Sequence, residues 1–269
     1  MEVQIEQPNV GPFRLVRRLE DGRNGQRWLA LDVRTQTSHV AHRIVLSHDR
    51  IAQRRFVSAM EAAEPLRHAH VLPIEHFSLG ATGLGWVVTP FTGNHSELVT
   101  LESLLGDKGG RMEPDEAERT LVQILETIEA THAAGHLHGP MTPGEILVDP
   151  RGACLIELYG VHRRLRGDGP TPAAEAGRDE IRSVVEIAYG LLTGLSADEP
   201  RIAATRLVPR LDGAWDRWID AGLDPAGGFA SATEALAALP GVQREVQTAA
   251  RVSPVRSVIS RFRRALGVK

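Results

Sequence analysis

The chain has 269 residues, 42% hydrophobic and 24% charged, proportions that support one or two domains with a real core and argue against disorder. Lysine stands only at Lys108 and Lys269, all other basic side chains being arginine, which excludes any mechanism needing a lysine in the first hundred residues. The net charge of −3 conceals a split between an acidic body and a segment, 241–269, with seven basic groups against the single acid Glu245, a distribution unlike that of a protein binding nucleic acid over its whole surface.

The single cysteine, Cys154, excludes a disulfide framework and a multi-thiolate zinc site, and its expected place is a core. The opening MEVQIEQPNV has two acids and no basic stretch, so no signal peptide is visible. No apolar run reaches the roughly 18 residues that would span a membrane. The expected location is the cytoplasm.

The first third reads as strands. FRLVRRL, QRWLALDV, SHVAHRIVL and GWVVTPF combine Val, Leu and aromatics with partial alternation, and DGRNG and TQTS mark turns between them. Between the third and fourth, Ile51, Phe56, Met60 and Ala63 fall at helical spacing, and Pro65 limits that helix. After Gly93 the character turns helical. Residues 114–134 open with Pro114, Asp115 and Glu116, suited to a first turn. Ala117, Leu121, Ile124, Leu125 and Ile128 then make one apolar stripe. Short strands follow at ILVD and ACLIELY, joined at PRG. Helices are predicted over 179–193, over about 213–222 around Trp215 and Trp218, and from Ser231, where Glu234 would close a capping box. GDKGG and RGDGPTP are loops. A small antiparallel sheet with one helix, followed by a larger helical part, is an α+β pattern with its natural ligand site between the two.

In this order the strings FRLVRRLEDGRNGQRWLALD, HVAHRIVL, RRFVSAMEAAEPLRHAHVLPI, WVVTPFTG, THAAGHLHGPMTPGEILVDPRGACLIELYG and DEIRSVVEIAYGLLTG resemble a bacterial eukaryotic-like serine/threonine protein kinase domain over residues 11–240. The resemblance implies a two-lobed fold, a small antiparallel β lobe with one helix and a larger, mainly helical lobe. The expected organisation is an N-terminal lead (1–10), an N-lobe (11–92), a C-lobe (93–240) and a basic tail (241–269). It also implies the site: a glycine loop over the phosphates of ATP, a bracing lysine, Mg²⁺ ligands and an aspartate that accepts the hydroxyl proton.

At those positions this sequence departs. The three loop glycines read Glu20, Gly22 and Gly25, with Arg27 where a valine would cover the adenine. Asp21-Gly22 and Asn24-Gly25 equally suit a plain hairpin turn. The bracing lysine falls on Arg43 and its helix glutamate on Ala59, which leaves Arg43 open to being a solvated strand-end charge. The H-R-D triplet reads His138-Gly139-Pro140, the following lysine Thr142, the metal-binding asparagine Glu145, and D-F-G reads Leu158-Tyr159-Gly160. Glu145 could hold Mg²⁺, cap a turn or be solvated. Glu157, if its strand continues, points to the other face. Residues 161–177 are short for an activation loop, with Glu175 in PAAEA as the nearest relic of its end. The acid at Asp179/Glu180 either fastens the catalytic-loop backbone or favours a helix dipole.

With every charged catalytic group replaced, the resemblance implies a kinase-like frame that does not transfer phosphate: a pseudokinase, acting as a regulatory or scaffolding protein in bacterial signalling. Two alternatives stay open. One is a divergent serine/threonine kinase working through Arg43, Glu145 and Glu157. The other is a nucleotide-sensing module that binds ATP without metal through Gly22, Gly25, Ala41, Arg43, Thr89 and Phe91. No cofactor is expected, ATP being the one ligand the frame would take and Mg²⁺ not expected. His68/His70 and His136/His138 lack a third metal ligand, and His42 and His48 are expected on the surface. In the tail, Phe262 shares an apolar helical face with Val255, Val258, Ile259 and Leu266, among Arg256, Arg261, Arg263 and Arg264. Such a helix suits an anionic membrane surface, a partner helix or the chain's own acidic body. Expected partners are proteins, an active kinase or a membrane-associated complex, with peripheral placement at the inner membrane surface and no nucleic acid.

Overall fold

The structure, a computed structural model, describes residues 9–46, 49–80, 83–94, 97–167, 173–198 and 200–243. Six strands form one antiparallel sheet: β1 (Asn9–Val10), β2 (Phe13–Arg18), β3 (Gln26–Asp32), β4 (Ser38–Val45), β5 (His76–Leu79) and β6 (Leu84–Pro90), in the spatial order β1-β2-β3-β4-β6-β5. Four lie where the apolar runs predict them. β1 is two residues long and β5 is the mixed string HFSL, so neither carries a readable pattern.

Pairing decides which side chains share a face, because partners lie side by side and successive residues alternate. Arg27, His42 and Val87 are cross-strand neighbours on the inner face. Gln26, Arg43 and Trp86, and likewise Trp28, Ala41 and Val88, lie on the outer face. α1 (Arg50–Ala63) lays Phe56, Ala59, Met60 and Ala63 against Ile44 and Val87 on the inner side. Asp49 caps it, accepting the Ala52 N–H at 2.6 Å, and the helix stops two residues before Pro65. Phe56 has room because position 85 is glycine: a Cβ there would lie 2.6 Å from its ring.

The larger lobe holds α2 (Leu101–Asp107), α3 (Pro114–Ala133), a short hairpin of β7 (Ile146–Val148) and β8 (Cys154–Ile156), then α4 (Val161–Arg166), α5 (Ala173–Thr193), α6 (Ala204–Leu207), α7 (Ala214–Leu223) and α8 (Ala232–Ala237). The predicted stripe of α3 is wholly buried, packed with Val184, Val185, Ala188, Leu191 and Leu192 of α5. Each such large side chain contributes roughly 1.5–3 kcal/mol, which makes this seam the main support of the lobe. Trp215 and Trp218 join the same core, and Trp218 Nε1 donates to the Ala235 carbonyl at 2.9 Å. Ser231 caps α8 by accepting the Glu234 N–H at 3.1 Å. The Glu234 carboxylate reaches one residue beyond the expected box, to the Ala230 N–H. Cys154 is buried and unbridged, and burial pushes its thiol pKa up to about 11.

The segment after Gly160 differs from the expected loop. α4 begins at Val161, and α5 starts at Ala173 rather than at 179, taking in Glu175. VHRRLR lacks a long apolar period. It is helical because Val161 and Leu165 drop onto the α1 cluster. Among the described residues no helix is long and apolar enough to cross a membrane. His48 and the tail residues Arg256, Arg261, Phe262, Arg263 and Arg264 lie outside the described residues.

Candidate functional site

The site is built from the β2–β3 hairpin upward. Gly22 and Gly25 exchange both backbone hydrogen bonds, at 2.9 and 3.1 Å, which puts Arg23 and Asn24 at the tip. Gly25 has φ +134°, and a side chain there would run into the Arg43 carbonyl. The loop is thus the tight hairpin that its glycines allow, and Glu20 at its base is exposed. The tip aims Arg23 at the opposite lobe. Its Nη1 donates to the Pro140 carbonyl at 2.7 Å and to Glu145 Oε2 at 2.8 Å.

Arg27, on the inner face of β3, makes a second crossing. Its Nε donates to Glu157 Oε1 and Oε2 at 3.1 and 3.0 Å, and its Nη2 to Oε2 at 2.5 Å. Nη2 also reaches the Gly144 carbonyl at 3.3 Å. Arg27 is 2% and Glu157 4% exposed. A Cβ on Gly22 would lie 2.6 Å from Arg27 Nε, so the space beside this glycine holds a guanidinium. His42 completes the group, with Nε2 at 3.7 Å from Glu157 Oε1 and 3.1 Å from Thr89 Oγ1. Burial holds the His42 pKa below its ordinary value. Glu157 pulls it back up and Arg27 pushes it further down.

These contacts correct three expectations. Arg43 and Ala41 lie on the outer face, away from the cleft. Arg43 Nη1 donates to its cross-strand neighbour Gln26 at 2.9 Å, and Ala41 sits in the outer cluster with Val10, Phe13 and Val88. His42, expected on the surface, is the β4 side chain facing the cleft: a shift of one residue along a strand changes the face. Glu157, expected to face away, faces in. β8 ends at Ile156 and Leu158 has φ +48°, so strand alternation stops there. A bulky residue in that backbone region is uncommon. Here it turns the Leu158 side chain among Phe56, Met60 and Val161. The position of the family's metal-binding acid is therefore a hydrophobic contact between lobes. Ala59 is buried in the same cluster, while Glu61 and Glu64 are exposed.

In the catalytic-loop segment, Glu145 is buried in a 3₁₀ turn at Pro143–Glu145. Its Oε2 accepts from the Thr142 N–H at 2.9 Å and Oγ1 at 3.0 Å as well as from Arg23. Its Oε1 has no hydrogen-bond partner and lies 3.8 Å from His138 Nε2. Pro140 offers only its carbonyl. Behind this loop Glu180, fully buried within α5, accepts the backbone N–H groups of His138 at 2.8 Å and Gly139 at 3.0 Å, and the Tyr159 hydroxyl. Of the two roles open to that acid, the geometry is that of fastening the loop. Tyr159 also receives a bond from Thr131 at 2.7 Å, and its ring meets His138 edge-on at 5.0 Å. At the linker, Thr89 is turned to His42 and Phe91 leans on Gly93. Between the hairpin base and the linker a cavity of about 210 Å³ remains, lined by Leu19, Glu20, Arg27, Leu98 and Thr100. Small-molecule sites are commonly about 300–1,000 Å³. Sequence reasoning missed Arg23 and the inward turn of Glu157. The available signal was complementarity: two added cations in the hairpin, two added acids in the segments opposite.

A six-stranded lobe with one helix, a helical lobe and a glycine hairpin over a fastened loop define a protein-kinase-like fold. The chain superposes on the kinase domain of PknI from M. tuberculosis with a TM-score of 0.69 and 16% identity, covering 88% of this chain and 97% of that one. Among curated proteins it is similar to cyclin-dependent kinase F-1 of Oryza sativa subsp. japonica, 25% identical over 127 residues, which is 45% of this chain and 25% of that protein. It is also similar to a serine/threonine-protein kinase of Yarrowia lipolytica, 28% identical over 117 residues, 41% of this chain and 16% of the other. The match to putative cyclin-dependent kinase F-2 of Oryza sativa subsp. japonica is 35% identical over 65 residues, 24% of this chain and 20% of that one. The chain thus spans a quarter or less of the length of these relatives. No protein-family model matches it.

Proposed function

We propose that this chain is a catalytically impaired kinase-like domain, a pseudokinase, whose lobes are held together by its own ion pairs and which works as a regulatory or scaffolding component of bacterial signalling in the cytoplasm. The observation that carries the reading is the buried Arg27–Glu157 pair. It stands beneath the glycine hairpin, where the frame would hold nucleotide phosphates. Phosphates entering there would have to displace a buried guanidinium and face the carboxylate it leaves behind, both costly steps. Mg²⁺ would meet two carboxylates, Glu145 and Glu157, each already bound by an arginine. The residues do not fit a metal–nucleotide complex and support no phosphotransfer step. A frame closed by its own side chains offers protein partners one fixed surface whatever the nucleotide level.

Thermal unfolding with and without millimolar ATP, each with and without Mg²⁺, tests this. A ligand that binds only the folded state raises its stability by RT ln(1 + [L]/Kd), so the expected result is no shift. A Mg²⁺-dependent shift, together with phosphate transfer to protein that Glu145→Gln or Glu157→Gln abolishes, would establish a divergent kinase instead. A Mg²⁺-independent shift would establish a nucleotide sensor.

A further inference from the structure

In the buried cluster between the lobes, His42 is the member whose charge can change near neutral pH. Both Glu157 oxygens already accept from the Arg27 fork, and His42 Nε2 shares a hydrogen bond with Thr89 Oγ1. The imidazole therefore stands 3.7 Å from the nearer carboxylate oxygen and makes no hydrogen bond to it. His42 is 3% exposed, so a charge placed there is out of reach of bulk water. Two charged groups act on it: Glu157 from the other lobe and Arg27, its cross-strand neighbour on β3. β6 turns Val87 and Thr89 toward it, and α1 covers Ile44 and Val87 with Phe56, Ala59 and Met60, none of which titrates. Arg23, Glu145, His138 and His162 make the next group outward, at the loop of the opposite lobe. With His42 neutral, the inner cluster holds one cation and one anion. With His42 protonated, it holds two cations, both on the smaller lobe, against one anion that Arg27 has already engaged. One positive charge is then buried without an anion of its own, and parting the lobes returns it to water. The depressed pKa of His42 agrees: burial holds it down, and Arg27 adds to this against the upward pull of Glu157.

We propose that proton uptake by His42 releases the glycine hairpin and its lobe from Glu157, so that the lobes stay joined near neutral pH and part as the surroundings turn acid. The proposal rests on the reading that the ion pairs hold the lobes together, and it names what regulates them. A group that binds its proton more readily in the parted form than in the joined form shifts the balance toward parting as pH falls. With one such group the ratio of parted to joined molecules is constant above about pH 6.5. Below that it rises by up to about tenfold per pH unit, and it levels off once His42 is protonated in the joined form as well. A protein partner that recognises both lobes together is accordingly held at neutral pH and let go in acid.

Single-molecule energy transfer on the full chain tests this, with pH-insensitive dyes on Asp21→Cys in the hairpin and Ala133→Cys in α3. Both positions are exposed, whereas Cys154 is buried. Between about pH 8 and pH 5 the high-transfer population is expected to stay constant down to about pH 6.5 and then to give way to a low-transfer one. His42→Gln, which keeps a polar group for Thr89 and does not titrate, holds the high-transfer population throughout. An NMR titration of the His42 ring in the unaltered sequence guards against a folding defect in that variant, and its midpoint coincides with the pH at which the change levels off. His162→Gln and His68→Gln retain the change, because His162 answers to Arg23 and Glu145, and His68 to His70 and Glu126. Constant high transfer in the unaltered sequence, or loss of the change in His162→Gln or His68→Gln, overturns the role of His42 and leaves the ion-pair reading standing. A low-transfer population already dominant at about pH 8 refutes the ion-pair reading, and the proposal with it.

Discussion

Consider replacing Arg27 by Met, Glu157 by Leu, and both together. The two side chains are 3% and 4% exposed, so either single change leaves one charge stranded out of water. Breaking a buried pair from one side costs about 3–5 kcal/mol, a large part of the roughly 5–15 kcal/mol that stabilises a typical domain. The singles should not be equal. In the Arg27→Met protein, Glu157 still has His42 at 3.7 Å, which can take up a proton and become its partner. In the Glu157→Leu protein, Arg27 keeps only the Gly144 carbonyl. The expected order is therefore a larger loss for Glu157→Leu, and a loss for Arg27→Met that shrinks as pH falls. The double variant, filling the space with apolar groups of similar size, is expected to be neutral or about 1–4 kcal/mol more stable than the parent. Urea unfolding by linear extrapolation gives all four free energies, and the double-mutant cycle isolates the coupling. Single losses under about 1 kcal/mol that simply add in the double variant would refute the claim that this pair joins the lobes.

Three further outcomes are expected. Leu158→Asp, which restores the acid of the kinase frame, buries a lone carboxylate among Phe56 and Met60; it should lower stability by about 3 kcal/mol or more and yield no ATP-dependent phosphorylation in a radiolabel transfer assay. Glu180→Ala strips the acceptor from two buried backbone N–H groups and the Tyr159 hydroxyl, so a loss of about 3 kcal/mol or more is expected in denaturant melts, with Glu180→Gln recovering part of it. His42 has its folded pKa depressed below 6.5, so the unfolded chain takes up its proton first: its contribution is complete above about 6.5 and is lost as pH falls from there toward the folded value. His42→Gln should flatten that part of the stability–pH curve, leaving the slopes of His68 and His162, which are depressed first of all by burial as well.

The fold was largely legible because its strongest signals are periodic. The α3 stripe and the four longer apolar strands carry much of the core, and those elements stand where the pattern puts them. α4 and β5 were hidden because each is short and is stabilised by what it packs against rather than by its own period. The site was less legible for a different reason. Its identity turns on strand register and on one backbone angle, and neither is visible in motif spacing. A motif match placed Arg43 at the brace, but the hydrogen-bond ladder puts His42 on the inner face. Strand alternation turned Glu157 outward on paper, and the φ of +48° at Leu158 ends that alternation. In both cases an error of one position reversed the direction of a side chain.

The same geometry separates two histories of a kinase-like site that the motif losses alone leave indistinguishable. Simple loss would leave neutral groups or solvated charges at the vacated positions. Arg27, Glu145 and Glu157 are instead buried, and with Arg23 they form two pairs, each joining a cation of the hairpin to an anion of the opposite lobe more than a hundred residues away in sequence. Any one of the buried charges alone would carry the full desolvation cost of an unpaired ion, so each is tolerable only with its partner present. The four residues therefore form one unit, and its effect is to tie the hairpin to the opposite lobe.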